Sequence, residues 1–196
     1  LPRADGVLIV MSQMREIREL SPADQRAVVD PGVINLQVSK AAHPHGYYFA
    51  PDPSSQQICS IGGNVAENSG GAHCLKYGFT TNHVLALDLI TPDGEQVQLG
   101  TRAPDAPGYD LVGTVVGSEG TLAFISEITY NTVPDHGHKA AAMVYFEDIR
   151  AACEAAMALK AAPVDAVELL DRQALRSVAD KPGMPAELQH LPTEAC

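Results

Sequence analysis

Alternating apolar and polar positions in the first part of the chain predict short strands that are separated by turns. The strands are expected at residues 7–10, 17–20 and 27–29. The sequence Ser-Pro-Ala-Asp at 21–24 suits a tight turn, so the second and third strands should form a hairpin. Apolar positions within residues 33–42 predict a helix that packs on this sheet and ends near Pro44.

The middle of the chain predicts a second hairpin and a long loop. Apolar runs at 84–90 and 95–99 flank a Pro-Asp-Gly turn, which is typical of a hairpin. A further strand is expected within residues 121–133. Residues 47–71 are rich in Pro, Gly, Ser and Asn, so we interpret them as a long functional loop.

Beyond Pro134 the composition becomes rich in alanine, and the pattern suggests a second domain. It predicts a strand at 143–146, a helix at 149–161, a strand at 167–170 and a short helix from about Asp171. Because a lone pair of strands is rarely stable, we expect these residues to be only the beginning of that domain. The chain is therefore predicted to be α+β, with domains at 1–133 and 134–196.

Composition and charge exclude several classes of function. The 196 residues carry 24 acidic and 13 basic side chains, a net charge of −11, and the basic residues are scattered, which disfavours nucleic-acid binding. The four cysteines form no C-x-x-C pair, which favours reduced thiols in the cytoplasm. No apolar run has the length of a transmembrane helix.

A short capped helix is expected within the glycine-rich segment 61–71. Asn64 is a candidate N-cap, and Glu67 follows three residues later, as in a capping box. Gly70 and Gly71 are candidates for the left-handed positions that end a helix.

Gly62 and Gly63 lie at the start of that segment and suggest a place for an anion. Glycines there should leave free backbone N–H groups that a pyrophosphate could approach closely. Glycine-rich loops commonly do no more than turn the chain, and neither G-x-G-x-x-G nor a Walker motif is present. From these residues alone, ligand binding and simple turning remain equal alternatives.

Five motifs occur in the order found in one flavoprotein family, at residues 51–55, 61–71, 76–78, 108–111 and 117–122. In them the chain resembles the vanillyl-alcohol-oxidase-like family, which has a PCMH-type FAD-binding domain. It is most similar to the branch of D-lactate dehydrogenase, glycolate oxidase and D-2-hydroxyglutarate dehydrogenase. The resemblance covers about residues 1–133 and continues more weakly beyond them.

This resemblance implies FAD as cofactor and a fold in which antiparallel strands are flanked by helices. Residues 1–133 would form the larger lobe of the FAD-binding domain, and residues 134–196 would begin a substrate-binding cap. The implied activity is oxidation of a D-2-hydroxy acid, of the lactate, glycolate or 2-hydroxyglutarate class, to the 2-oxo acid. The hydride would pass to flavin N5, and the base would come from the cap, outside this chain.

The resemblance also implies which residues contact the cofactor. Positions expected to line the flavin are Pro51, Asp52, Ser55 and Ser60. Positions expected along the middle of FAD are Gly62, Gly63, Asn64, Glu67, Asn68, Ser69 and Gly70. Positions expected on its adenine side are Glu119, Gly120, Thr121 and Ile125.

Other reactive residues have simpler interpretations. The histidine pairs at 43 and 45 and at 136 and 138 have no carboxylate or thiol at ligand spacing, so no metal is assigned. His73 and Cys74 could tether a flavin, but this branch generally holds FAD non-covalently, so they are interpreted as packing residues. Ser118 is not in a nucleophile elbow, which disfavours hydrolase chemistry.

A second hypothesis is that the chain is a truncated, inactive fragment that keeps the fold but binds FAD weakly or not at all. The Ala-rich helix at 149–161 suits either a core or an interface, so a homodimer remains an open alternative. A small 2-hydroxy acid is the expected substrate partner. The sequence does not identify the electron acceptor.

Overall fold

The computed structural model describes residues 4–104, 107–178 and 181–183. The chain divides into two compact units, Leu1–Gly137 and His138–Cys196. The first unit combines antiparallel sheets with short helices, which confirms the predicted α+β class. The assignment of domains to 1–133 and 134–196 stays a prediction.

Two antiparallel sheets are present in the first unit. Their strands are β1 (Ile17–Ser21), β2 (Arg26–Val29), β3 (Tyr47–Tyr48), β4 (Val84–Ile90), β5 (Gln96–Gly100), β6 (Phe124–Asn131) and β7 (Val133–Pro134). The main sheet has the order β1-β2-β6-β4-β5, and β3 pairs with β7 in a second, small sheet. Since β6 lies between β2 and β4, it joins the two predicted hairpins into one sheet.

Short α-helices connect or follow these strands. They are α1 (Asn35–Ala42), α2 (Ile61–Glu67), α3 (Cys74–Tyr77), α4 (Leu111–Val115), α5 (Ile149–Leu159) and α6 (Arg172–Val178). Across the described ranges, no helix combines the length and the apolar character that a bilayer span requires.

Both predicted hairpins are confirmed. β1 pairs with β2, and the turn between them closes through a 3.2 Å hydrogen bond from the Gln25 amide to the Pro22 carbonyl. β4 pairs with β5 across the Pro-Asp-Gly turn, where Gly94 has φ +83° and donates to the Thr91 carbonyl at 2.9 Å. A left-handed φ favours glycine, which explains why the turn signal was reliable.

The core lies on one side of the main sheet and includes residues from β2, β4, β6, α1 and α2. Its largest member is Tyr130, which is fully buried and packs against Phe49 at 4.6 Å between ring centroids. Along α1 the buried positions are Asn35, Val38 and Ala42, one face of the helix. The predicted helix at 33–42 is therefore confirmed with its packing face, but that face contains an amide.

Three predicted strands do not form. Residues 7–10, 143–146 and 167–170 have no strand assignment, and no segment that the structure describes pairs with them. An apolar run becomes a strand only where a neighbouring strand takes up its backbone hydrogen bonds. Val7 is 93% exposed, so its apolar character is not used in this unit's core.

The Ala-rich helix predicted at 149–161 is confirmed as α5, which is capped by Asp148 through a 2.8 Å bond from the Ala151 amide. Ala152 is buried, whereas Met157 is 70% exposed. The short helix predicted from about Asp171 is confirmed as α6. The homodimer stays a prediction.

His83 is a buried imidazole that joins α3 to the sheet. Its Nδ1 lies 2.8 Å from the side-chain oxygen of Asn131, and its Nε2 lies 2.9 Å from the Tyr77 carbonyl oxygen. Burial lowers the pKa of His83, and the hydrogen bonds to Asn131 and Tyr77 oppose that shift only in part.

We therefore expect the chain to lose stability in mild acid. The unfolded His83 takes up a proton near its ordinary pKa of about 6.5, whereas the folded one resists protonation until a lower pH. The free energy of unfolding should fall below that pH, by at most about 1.4 kcal/mol per pH unit from this group. Urea unfolding at several pH values measures the slope.

His83→Gln should flatten that slope, because residue 83 then no longer titrates in this range. The matched control is His45→Gln, at an exposed position, which should keep the slope of the parent chain. Equal slopes in both variants would show that His83 is not the titrating group.

Candidate cofactor site

The glycine-rich segment does contain a helix, α2, but it begins earlier than predicted. Ser60 has extended backbone angles and its Oγ accepts a hydrogen bond from the Gly63 amide at 3.2 Å, so Ser60 is the N-cap. The prediction that Asn64 caps the helix with Glu67 is wrong. Asn64 lies one turn further on and is only 3% exposed.

The end of α2 also differs from the prediction. Asn68, with φ +47°, is the left-handed residue, so the assignment of that role to Gly70 and Gly71 is wrong. These two glycines are needed for close packing instead. A Cβ on Gly70 would lie 2.9 Å from the Phe79 ring, and a Cβ on Gly71 would collide with the backbone of Asp52.

The predicted free N–H groups at the start of α2 are already used. The Gly62 amide donates to the Pro31 carbonyl at 2.8 Å, and the Gly63 amide donates to Ser60. The expectation that these two amides form an anion cradle is therefore wrong. A ligand at this segment would have to contact its surface.

Gly63 provides such a surface. It is exposed, and a Cβ built on it would meet nothing within 4 Å except the Ser60 Oγ, at 3.2 Å. Glycine inside a helix costs roughly 1 kcal/mol relative to alanine, and no packing contact of the described residues requires it here. The backbone at Gly63 thus offers close approach to an extended or flat group such as FAD.

A second predicted segment packs directly against α2. The Gly117 amide donates to the Val65 carbonyl at 2.8 Å, and the Glu119 amide donates to the Ala66 carbonyl at 2.9 Å. Glu119 has φ +53°, a conformation that costs a non-glycine residue energy and is often kept at functional sites. The structure therefore joins residues 117–120 to the last turn of α2.

An open cleft of about 520 Å³ extends from this junction. It is lined by Ile9, Ile90, Thr91, Pro92, Gly120, Thr121, Leu122, Ala123 and Phe124. Gly120 and Thr121, predicted on the adenine side of FAD, line this mostly apolar cleft, which suits a planar aromatic base. Ile125 is 8% exposed and packs in the core, and Glu119 is exposed beside the cleft.

Among the residues predicted to line the flavin, Asp52 is hydrogen-bonded to His73. The Oδ2 of Asp52 is 2.6 Å from the Nδ1 of His73, and its Oδ1 accepts from the His73 amide at 3.3 Å. Pro51 is buried, and Ser55 is exposed in the turn that leads to Ser60. The Asn68 Oδ1 accepts a hydrogen bond from the Thr81 amide at 2.9 Å, which ties the end of α2 to the short 3-10 helix Thr80–Asn82.

Asn35 was not predicted, yet it connects two of these segments. Its side-chain amide donates to the Pro51 carbonyl at 3.0 Å and to the Asn64 Oδ1 at 2.9 Å. The Asn64 amide in turn donates to the Cys59 sulfur at 3.4 Å. The signal for Asn35 was its place on the apolar face of the predicted helix, where a polar residue must find a buried partner.

One histidine of each pair has hydrogen-bond partners of its own. The Nδ1 of His43 lies 3.1 Å from Asp135, while the Nε2 of His136 lies 3.0 Å from the Lys76 amine and 3.2 Å from the Tyr77 hydroxyl. Within the part of the chain that the structure describes, no group of three or more metal-binding side chains converges.

Comparison with known families covers most of the chain. Residues 2–100 match the FAD binding domain family, and residues 136–195 match the C-terminal domain of FAD linked oxidases. The first match contains Pro51–Gly71 in full, so it includes the exposed glycine surface of α2.

Curated relatives are similar in sequence. Glycolate oxidase subunit GlcD of Escherichia coli (strain K12) is 52% identical over 134 residues, 68% of this chain and 27% of that protein. The GlcD subunit of Bacillus subtilis (strain 168) is 36% identical over 189 residues, 94% and 40% of the two chains. The mitochondrial D-lactate dehydrogenase (cytochrome) of Arabidopsis thaliana is 34% identical over 176 residues, 88% and 31%. The chain thus spans only 27% to 40% of the length of these relatives.

A solved structure, that of an alkyldihydroxyacetonephosphate synthase, is similar in fold. It superimposes with a TM-score of 0.58 and 24% sequence identity, and the match covers 75% of this chain and 26% of that one. At this level of identity the similarity concerns the fold alone. It agrees with the predicted arrangement of antiparallel strands flanked by helices.

Proposed function

This chain belongs to the FAD binding domain family, whose cofactor is FAD, and from that premise we propose that it forms part of an enzyme that oxidises a D-2-hydroxy acid to the 2-oxo acid. The observation that carries the proposal is the exposed glycine surface of α2, joined through backbone hydrogen bonds to residues 117–120. The relatives named glycolate oxidase and D-lactate dehydrogenase support the substrate class.

We assign the cofactor-contacting residues along this surface in three groups. The flavin ring would lie against Pro51, Asp52, Ser55 and Ser60. The middle of FAD would lie along Gly62, Gly63, Asn64, Glu67, Asn68, Ser69 and Gly70. The adenine side would lie near Glu119, Gly120, Thr121 and Ile125, with the cleft beside Gly120 taking the base.

Bound FAD would supply the hydride acceptor, at flavin N5, for the hydrogen on the α-carbon of the hydroxy acid. The residues of this chain would bind and orient the cofactor. Gly63 and Gly120 would let it approach the backbone, and the apolar wall of the cleft, with Leu122 and Phe124, would exclude water from one end. None of these side chains is assigned as the base that deprotonates the hydroxyl.

The cysteines support the proposed location. Cys59, Cys74 and Cys153 are free thiols. Free thiols of this kind persist in a reducing compartment, and we propose the cytoplasm.

The first test is the visible absorption spectrum of the chain after incubation with FAD and removal of unbound cofactor. We expect flavin absorption in stoichiometric amount, because the glycine surface and the residue 117–120 segment are already in place. A folded but colourless chain would contradict the claim that these two segments form the cofactor site by themselves.

The substrate class is tested by reduction of the flavin without oxygen, in protein expressed from the natural gene. D-Lactate, glycolate or D-2-hydroxyglutarate should bleach the flavin band, and L-lactate should bleach it much more slowly. The matched control is 2-hydroxyisobutyrate, which has no α-hydrogen and cannot donate a hydride. Bleaching by L-lactate at the same rate as by D-lactate would refute the proposed stereochemistry.

A further inference from the structure

Asp52 and His73 form a pair in which both carboxylate oxygens bind the same histidine. An ionised carboxylate only accepts hydrogen bonds, so the Nδ1–H of His73 donates to Oδ2 at 2.6 Å. The backbone amide of the same residue donates to Oδ1 at 3.3 Å. Two bonds from one residue to one carboxylate hold both the ring and its backbone in place.

The surroundings keep this pair from rearranging. The side chain of Asp52 is only 19% exposed, and Gly71 packs so closely on the Asp52 backbone that a Cβ would collide with it. The backbone of Asp52 is therefore held closely against the glycine segment. Burying a carboxylate is costly unless its hydrogen bonds are made, so His73 is fixed as its partner.

The orientation leaves one end of the imidazole for another contact. The His73 side chain is 33% exposed, and its Nδ1 is engaged with Asp52. Nε2 is then the ring atom left to bind a further group, either as an acceptor or, when protonated, as a donor. Fixing one imidazole nitrogen with a carboxylate so that the other can act is a recurring device in enzyme sites.

We propose that His73, oriented by Asp52, contacts the flavin ring through Nε2 and raises the reduction potential of the bound FAD. In this proposal His73 is a further cofactor-contacting residue, and Asp52, besides its place in the flavin group, positions the His73 ring. In this proposal the imidazole beside the bound flavin carries a proton on Nε2 as well as on Nδ1, because a hydrogen-bond donor or positive charge beside the ring favours the form that carries the extra electrons. This inference rests on the proposed function, because it requires the flavin to lie beside Asp52.

A structural role alone would have different consequences. His73 is the residue before α3, and its bond to Asp52 ties the start of that helix to residues 51–53. If the pair were only such a brace, its loss would lower stability and would weaken FAD binding equally in both redox states. The reduction potential would then stay unchanged.

The test measures the potential of the flavin in protein expressed from the natural gene. His73→Phe keeps a ring but removes both nitrogens, and it should weaken binding of reduced FAD relative to oxidised FAD about tenfold, which for a two-electron couple is a fall of about 30 mV. His73→Gln keeps a donor and should recover part of that change. Asp52→Asn should lower the potential as well, and it should add little to His73→Phe because both changes remove the same contact.

The control is His45→Gln at an exposed position, which should leave the potential unchanged. An unchanged potential in His73→Phe, with FAD still bound, would overturn the inference and leave the pair as a structural brace. Failure of the unmodified protein to bind FAD would refute the proposed function instead, so the two failures are distinguishable.

Discussion

Replacing Gly63 with alanine is expected to weaken FAD binding at least about tenfold while leaving the chain as stable as before or up to about 1 kcal/mol more stable. In the folded chain a Cβ at this position meets only the Ser60 Oγ, at 3.2 Å, and a shift of a few tenths of an ångström makes room for the methyl group while the cap bond is kept. In the complex the same methyl would stand between the cofactor and the helix backbone. FAD titration and urea unfolding measure the two effects separately.

Gly62→Ala is the matched comparison for stability, because it should destabilise the folded chain whereas Gly63→Ala should not. A Cβ on Gly62 would lie 2.7 Å from the Pro31 Cβ and 2.9 Å from its carbonyl oxygen, inside the protein. Such overpacking typically costs about 1–3 kcal/mol. If Gly63→Ala instead destabilised the chain as much as Gly62→Ala and left FAD affinity intact, the exposed face of α2 would not be the cofactor surface.

This contrast shows what the sequence could not provide. The glycines at 62, 63, 70 and 71 are equivalent when read along the chain, and all four were expected to serve the ligand or to end the helix. In the folded protein three of them serve internal packing, because Pro31, Phe79 and Asp52 approach them closely. These neighbours are distant in sequence, so only the tertiary structure separates Gly63 from the rest.

Sequence patterns predicted the structure well where two pairing segments lie close together along the chain. Both hairpins were correct because a turn with Pro or Gly places two alternating runs side by side. The run at 7–10 has similar apolar character, but it lacks a paired neighbour among the described segments. Strand formation depends on that neighbour, which periodicity does not reveal.

The helix cap illustrates the same limit on a smaller scale. Ser60 and Asn64 are both good N-cap residues, and the glycines between them gave no apolar pattern to decide where α2 starts. The structure decides through burial, since Asn64 is needed inside as the partner of Asn35 and of Cys59. The hydrogen bond between the side-chain amides of Asn35 and Asn64 thus explains why α2 starts one turn earlier than predicted.

Asn35→Leu is expected to destabilise the chain by about 2–5 kcal/mol and to weaken FAD binding as well. The substitution keeps a similar volume but removes the side-chain amide that donates to the Pro51 carbonyl and to the Asn64 Oδ1, whose other donor among the described residues is the Cys59 thiol at 3.8 Å. Each buried acceptor left without a partner costs about 1–3 kcal/mol. Asn35 is fully buried, so water cannot replace the lost bonds without opening the core.

The effect of the substitution on FAD affinity distinguishes the Asn35 amide from an ordinary core residue. Val38→Ala, on the same face of α1 and also fully buried, should cost about 2 kcal/mol through lost burial and the cavity it leaves. It should nevertheless leave the FAD affinity of the folded protein close to normal, because Val38 makes no hydrogen bond to Pro51 or Asn64. Urea unfolding and FAD titration of both variants make the comparison. Equal FAD affinity in the two variants would mean that Asn35 stabilises the core without positioning the flavin-side and glycine segments. A loss of FAD affinity in Asn35→Leu alone would show that this one buried amide sets the distance between the two segments.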